Sequence, residues 1–522
     1  MRPLYRLFLF SLLIAPAARA QTKVFKAVAQ DMEQQFETIL QDGKPVGYLM
    51  FMQLEKASAD SFNYRIDIMD ENLNDIGNVE FRQKKLNLKG VSFEQDVLCL
   101  VYVTSDYVGK EFKNLREFLQ QENNNHDALF FQFLGLDGKF IATNTVITKA
   151  HQACAPAPDS RHAVIGYAAE YKHTIQLRNL AGKGFACFYG DESKNSLLVF
   201  NAAGKLTWQK QIHDNAVSML MLTSGPEVSL LIKAKDKFDE GGFAVLSYNA
   251  IDTITYPKFL LKDRRGNSLK PLVFDNDPVT GKPFVSGLVI DSIHGNRYSN
   301  NKQLTHGPYS GLFTINLNGH TRGAIQAQFS YWNDGSQTFV NKHGYYSGEK
   351  VYADFERSFR DYQGNTWFVA CGVHRRIRWA AMAATVATLP LIVPPLLFMG
   401  SGPVKFTSPG LLLLKQDHTG KLALANKVDT KSTDWGIPQS SVGVLGLHYY
   451  PISNSTIHTD YLVVDDEKNI QIYNVNETKV ARTIPHQLGD NLQTILPAKE
   501  GYMMVYAFNK KEKTTRLSIE AL

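Results

Sequence analysis

One unit recurs along this chain: a short apolar strand, a polar turn built on Asp or Asn and often closing with Gly-Lys, then a second strand. It appears as YRIDIMDENLNDIGNVEF from Tyr64, FFQFLGLDGKFIATNTV from Phe130, LLVFNAAGKLTWQKQI from Leu197 and FAVLSYNAIDTITYPKFL from Phe243. It returns as GLFTINLNGHTRGAI from Gly311, LLLLKQDHTGKLALANKV from Leu411, YLVVDDEKNIQIYNV from Tyr461 and YMMVYAFNKKEKTTRLSI from Tyr502. The chemistry is that of β-hairpins. Asx side chains hold the turn, and Gly supplies the positive φ that reverses the strand. Further strand-like runs lie between the hairpins: GVSFEQDVLCLVYV, HAVIGYAAEY, NAVSMLMLTS and TWFVACGV.

Each hairpin with its preceding strands makes a module of roughly 40–70 residues, near the period of propeller blades. Such a module is apolar on both faces and must be covered by neighbours on both sides, which a ring provides. The expected fold is therefore all-β, a β-propeller of seven or eight blades over residues 21–522. A set of β-sandwich domains would also alternate strand and turn. The recurring Asx-x-x-Gly-Lys turn and the lack of a clear linker favour the ring. Only two segments read as helices, KAVAQDMEQQF (26–36) and EFKNLREFLQQ (111–121).

Residues 1–20 read as a cleavable secretory signal. Arg2 and Arg6 precede the apolar stretch Leu7 to Ala15, Pro16 breaks it, and Ala18-Arg19-Ala20 presents small residues to a signal peptidase. The stretch is shorter than the about 20 residues a membrane-spanning helix needs. The expected location is periplasmic or extracellular. The whole chain carries +6; residues 1–20 hold three Arg and no acid, so 6 − 3 leaves +3 from Gln21 onward. Basic and acidic residues are interspersed, which argues against nucleic acid as a partner. Of the four cysteines, Cys99, Cys187 and Cys371 sit in apolar strand-like runs and are expected as buried thiols. With Cys154, they leave room for a disulfide in an oxidising compartment.

One segment departs from the pattern. Trp379 to Val404 contains no charged residue and follows His374-Arg375-Arg376-Ile377-Arg378. Its length suits a membrane span. However, Pro390, Pro394 and Pro395 would break an interior helix, and an outward-facing arginine cluster opposes the positive-inside tendency. The reading that fits better is an apolar insertion, residues 374–408, between two strands of one blade, with a buried plug as the bland alternative. The candidate docking residues for a membrane surface or an envelope protein are Trp379, Leu389, Leu391, Ile392, Leu396, Leu397 and Phe398. Arg375, Arg376 and Arg378 are placed to meet anionic headgroups.

Catalytic and metal motifs are weak. Gly204-Lys205-Leu206-Thr207-Trp208 resembles a turn of the PQQ dehydrogenases, but the other hairpins lack the Trp. The run from Asp361 to Trp367 is similar to the Asp-box of sialidases with one residue too many before Gly364. Asp275-Asn276-Asp277 opens like a calcium loop, but Pro278 and Val279 stand where ligands are needed. His294, His306, His320 and His343 share a polar Gly/Asn/Tyr-rich region without metal-ligand spacing, and Asp465-Asp466-Glu467 reads as a solvated turn. No catalytic residue, metal or cofactor is assigned.

The signal segment, Asp277-Pro278-Val279-Thr280-Gly281-Lys282-Pro283, Gly364-Asn365-Thr366-Trp367-Phe368-Val369 and the proline-rich apolar insertion together resemble the uncharacterised exported bacterial propeller-like proteins. That resemblance implies a propeller and brings no activity with it. The function expected is a non-enzymatic binding or scaffold module at the cell envelope. The alternative is a propeller hydrolase acting on glycan or peptide, which would place convergent acids and arginine at the centre of the ring.

Overall fold

The computed structural model describes residues 21–26, 34–58, 61–104, 127–148, 175–190, 195–212, 216–234, 242–290, 309–334, 339–341, 344–377, 404–407, 410–429, 434–435, 448–454, 456–465, 469–485, 491–509, 511–512 and 514–522. Among them every regular element is a strand except the 3-10 turn Arg322–Ala324. The strands group into eight antiparallel meanders. The first runs through Gln34–Gln41, Lys44–Lys56, Phe62–Asp70 and Asp75–Gln83, and the second through Asn87–Glu94, Val97–Thr104, Asp127–Gly135 and Phe140–Thr148. A single parallel pair, Leu40 with Ser92, joins these two into one sheet.

The third unit comprises Gln176–Leu180, Gly184–Gly190, Asn195–Phe200 and Leu206–Ile212. In the fourth, Ala216–Ser224, Glu227–Ala234 and Phe243–Asn249 are followed by two short pieces, Ile254–Thr255 and Phe259–Leu260, on the same edge. The fifth holds Ser268–Asn276, Pro283–Ile290, Tyr309–Leu317 and Ile325–Tyr331. In the sixth, Val351–Arg360, Thr366–Ile377, Gly410–Gln416 and Leu422–Asp429 are preceded by Tyr345–Tyr346. The seventh is His448–Asn454, Thr459–Asp465, Asn469–Asn474 and Lys479–Pro485. The eighth takes three strands from the end of the chain, Asn491–Pro497, Tyr502–Asn509 and Thr514–Ala521. Its fourth, Gln21–Lys26, comes from the beginning.

Packing makes these units a ring. The apolar residues fall into eight clusters, and each is shared by two consecutive units, the last one joining the eighth to the first. The parity of a strand decides which neighbour a side chain meets. Along Val97–Thr104, Val97, Cys99, Val101 and Val103 pack toward the third unit, while Leu98, Leu100 and Tyr102 pack toward the first. A one-residue slip would exchange the two sets. Along Gly184–Gly190, Phe185 and Cys187 face back and Ala186 and Phe188 face forward. Each fully buried Leu or Phe contributes about 1.5–3 kcal/mol, so every interface depends on the presence of the next unit. Outer strands are covered on fewer sides and alternate exposed with half-buried, as in Leu206–Ile212. The fold is a β-propeller.

The recurring turn works as its chemistry implies. In the Asn201, Asp263, Asp361 and Asp417 turns, the carbonyl of the Asx residue accepts from the glycine three positions on, and its side-chain oxygen accepts the N–H four positions on. Those glycines, 204, 266, 364 and 420, all have φ between 77° and 86°. Asp361 does more: it is buried, and its second carboxylate oxygen takes the indole N–H of Trp367 at 2.8 Å. The near-match to an Asp-box is thus a turn-holding device.

One expectation needs correction. The segment proposed as a helix over 26–36 ends in strand: Gln34–Phe36 pairs with Phe51 and its neighbours, and the β-branched Thr38 and Ile39 that follow carry the strand on. The hairpins from Tyr461 and Tyr502 join the second and third strands of their units; the fourth is Lys479–Pro485 in the seventh and the N-terminal strand in the eighth. As expected, Cys99, Cys187 and Cys371 are buried, and burial pushes the thiols of Cys99 and Cys187 well above the usual pKa. Cys154, the helix candidate 111–121 and the run HAVIGYAAEY lie outside the described residues.

Candidate functional site

Three places carry chemistry beyond packing. The first is the origin of the apolar insertion. The strand Thr366–Ile377 pairs with Gly410–Gln416 along its first half, then runs on past that partner. Its extension pairs with Val404–Thr407, His374 opposite Thr407 and Ile377 opposite Val404. Phe406 and Thr407 pair in turn with Trp435 and Asp434. The backbone of Arg375 and Arg376 belongs to this ladder. The other docking candidates, Arg378, Trp379, Leu389, Leu391, Ile392, Leu396, Leu397 and Phe398, lie outside the described residues, as do His294, His306 and His343.

The second place is the inner edge of the ring. The first strand of each early unit lies beside the first strand of the next, from Gln34–Gln41 round to Val351–Arg360. Charged residues of both signs recur on these strands. The pairing of Leu40 with Ser92 puts Glu37 level with Lys89 by the same offset of 52 residues. Burial raises the pKa of Glu37, and Lys89 opposes the rise. Arg178 belongs to the third unit and Asp275 to the fifth, yet each feels the other's charge. Both sit on the first strands of their units, so this attraction acts across the inner edge. Burial lowers Arg178 and raises Asp275, and the mutual attraction partly offsets both shifts. Burial also raises Asp354 from 3.8 to about 6, against the pull of Lys270.

Just beyond this edge, Arg360 of the sixth unit donates to Asp277 of the fifth at 2.7 Å, both side chains below 10 % exposed. The guanidinium also lies over the ring of Phe284 at 4.6 Å. Burial pushes Asp277 up, but the N–H groups of Thr280 and Val279 and the guanidinium outweigh it and hold the carboxyl below its usual range. Removing one partner of such a pair costs roughly 3–5 kcal/mol. Asp277 is therefore a clasp between units. Among the described residues no group of three or more His, Cys, Asp or Glu is placed to hold a metal ion.

The third place is a cleft between the fourth and fifth units. The outer strand of the fourth unit is interrupted at Tyr256-Pro257-Lys258, where proline cannot donate to the ladder. Into this gap comes His320, from the turn between the last two strands of the fifth unit. Its ring stacks on Tyr256 with centroids 3.5 Å apart and planes 9° apart. His320 Nε2 lies 3.1 Å from Glu227 Oε1, and Tyr256 donates to the same oxygen at 3.3 Å. The sequence marks His320 as one of a polar cluster, but nothing marks Glu227 or Tyr256 as its partners. The proline inside a strand-like run is the one local sign of a gap.

A family model described as Family of unknown function (DUF6770) matches residues 1–113 of the 522. No curated protein matches. Among solved structures, the chain is similar to the WD40 domain of SCAP from fission yeast, at 8% identity over 96% of this chain and 98% of that one, with a TM-score of 0.39. It is similar to the Dos1 propeller at 9% identity, 95% and 94% coverage and a TM-score of 0.42. It is also similar to apo AztD from Citrobacter koseri at 8% identity, 91% and 95% coverage and a TM-score of 0.39.

Asp354 gives a pH test of the inner edge. Its folded pKa of about 6 exceeds the ordinary 3.8, so stability is fully present below the lower value and is lost as pH rises through the higher. By pH 8 the ionised group costs about 3 kcal/mol. Asp354→Asn should raise Tm by about 3 °C at pH 8 for a chain of this length, with the gain vanishing below the ordinary carboxyl pKa. Thermal melts across that range decide it; an equal difference at both ends would contradict the assignment.

Proposed function

We propose that this chain is an exported, non-catalytic propeller that binds at the cell envelope, docking on a membrane surface through residues 379–404. The observation supporting this reading is the ladder between His374–Ile377 and Val404–Thr407, which carries the chain away from the middle of one unit and returns it there. The sequence between is the long uncharged run, flanked by Arg375, Arg376 and Arg378. Apolar area supplies the insertion energy and the arginines an attraction to anionic headgroups. Export, supported by the signal-like residues 1–20, gives such a surface access to the envelope.

The test is deletion of residues 379–403 with a short Gly-Ser bridge, followed by sedimentation with protein-free vesicles of anionic phospholipid. The native chain is expected to sediment with the vesicles, and the deletion variant to stay in solution with its Tm unchanged. Unchanged sedimentation of the variant would overturn the reading. Binding to isolated envelope membranes but not to pure lipid would replace the lipid surface with a protein partner.

A second reading, a hydrolase of glycan or peptide, is favoured by the acids Glu37, Asp275 and Asp354 and by Arg178 on the inner strands. A carboxyl held near pH 6 can act as general acid. Purified protein would then turn over a glycan or peptide substrate, and Asp354→Asn would lower kcat by about 100-fold or more. Turnover unaffected by that change would remove Asp354 from the chemistry.

A further inference from the structure

The cleft between the fourth and fifth units has a volume of about 330 Å³, within the range of small-molecule sites. Its lining brings an acid and a base into one cavity. Glu227 uses Oε1 for both His320 and Tyr256, and Oε2 takes no hydrogen bond among the described residues. Lys282 Nζ donates to the carbonyl of Asn318 at 3.3 Å, leaving two of its three protons. The buried hydroxyls of Ser229 and Ser247 bond each other at 2.9 Å, which consumes one of their two protons and leaves the other. The remaining wall is apolar, including Val245, Phe259, Leu317 and Ile325.

These groups define the occupant. A simple anion would meet Glu227, and a simple cation would meet Lys282, each an uncompensated like charge. A molecule carrying both charges satisfies both ends at once, and its apolar portion covers the wall. We propose that this cleft binds a zwitterion of dipeptide size with apolar side chains. Its α-ammonium meets Glu227 Oε2, and its carboxylate meets Lys282 and the unspent serine hydroxyl. The stacked pair Tyr256 and His320 fixes the Glu227 carboxylate in place before the ligand arrives, so little ordering is left to bind. The site lies on units other than the one that bears the 379–404 insertion and is independent of the docking reading.

The experiment is titration calorimetry of the full chain with leucyl-leucine, its N-acetyl derivative and its C-terminal amide. Charge-assisted hydrogen bonds of this kind are each worth about tenfold or more in affinity. Leucyl-leucine is expected to bind, and each blocked form to bind at least about tenfold more weakly. Glu227→Gln should weaken leucyl-leucine by the same factor, with no further loss on acetylation, and Lys282→Met should do the same for the amide. If a variant fails to fold, the blocked ligands on the native chain still decide. Absence of binding to the native chain at millimolar concentration would overturn the proposal. So would binding equal for all three ligands, or binding unchanged in both variants.

Discussion

Everything in this molecule depends on faces that cannot be left uncovered. The middle strands of each unit are apolar on both sides, as Val97–Thr104 and Gly184–Gly190 are. A four-stranded sheet of this kind has no stable form alone, since each face needs a neighbour and each neighbour has another face. Only closure ends the series. The chain closes by placing Gln21–Lys26 against Thr514–Ala521, so its two ends share one sheet. The eighth cluster then joins Tyr48, Met50 and Met69 of the first unit to Met504, Leu517 and Ile519 of the last.

Polar chemistry is distributed around this apolar frame. Turn acids spend their hydrogen-bonding capacity within the frame, Asp361 on its own loop and Trp367, Asp263 on its own loop and the hydroxyl of Tyr331. Asp277 and Arg360 clasp adjacent units across an interface that would otherwise hold two buried charges. Two groups are not consumed in this way. The inner-edge acids are raised by burial against only partial compensation from Lys89, Arg178 and Lys270. Glu227, at the cleft, keeps one carboxylate oxygen open. The architecture therefore separates residues that hold the ring from residues free to meet something else.

The hairpins were legible because their signal is local: alternating apolar positions and Asx-Gly turns identify strand pairs without reference to the rest of the chain. All eight are present, one in each unit. Their phase within a unit was not legible. That Tyr502 belongs to a second and not a third strand follows from the place of the N-terminal strand as the eighth unit's fourth, a pairing across almost the whole sequence. The same limit hid the site residues. Arg178 and Asp275, or Glu227 and His320, are nearly a hundred positions apart and meet only through ring geometry. The helix expected over 26–36 failed for a related reason. Its residues 34–36 have helical spacing locally, but the adjacent strand Lys44–Lys56 offers them a ladder.

Closure of the ring by the first strand is most directly tested by amide hydrogen exchange on the chain beginning at Gln21. Alternate amides of residues 21–26 should be protected as strongly as their partners in 514–519, opening only with the whole ring. Exchange of residues 21–26 at the rate of an unfolded chain, with 514–519 still protected, would contradict a ring held shut by its own N-terminal strand.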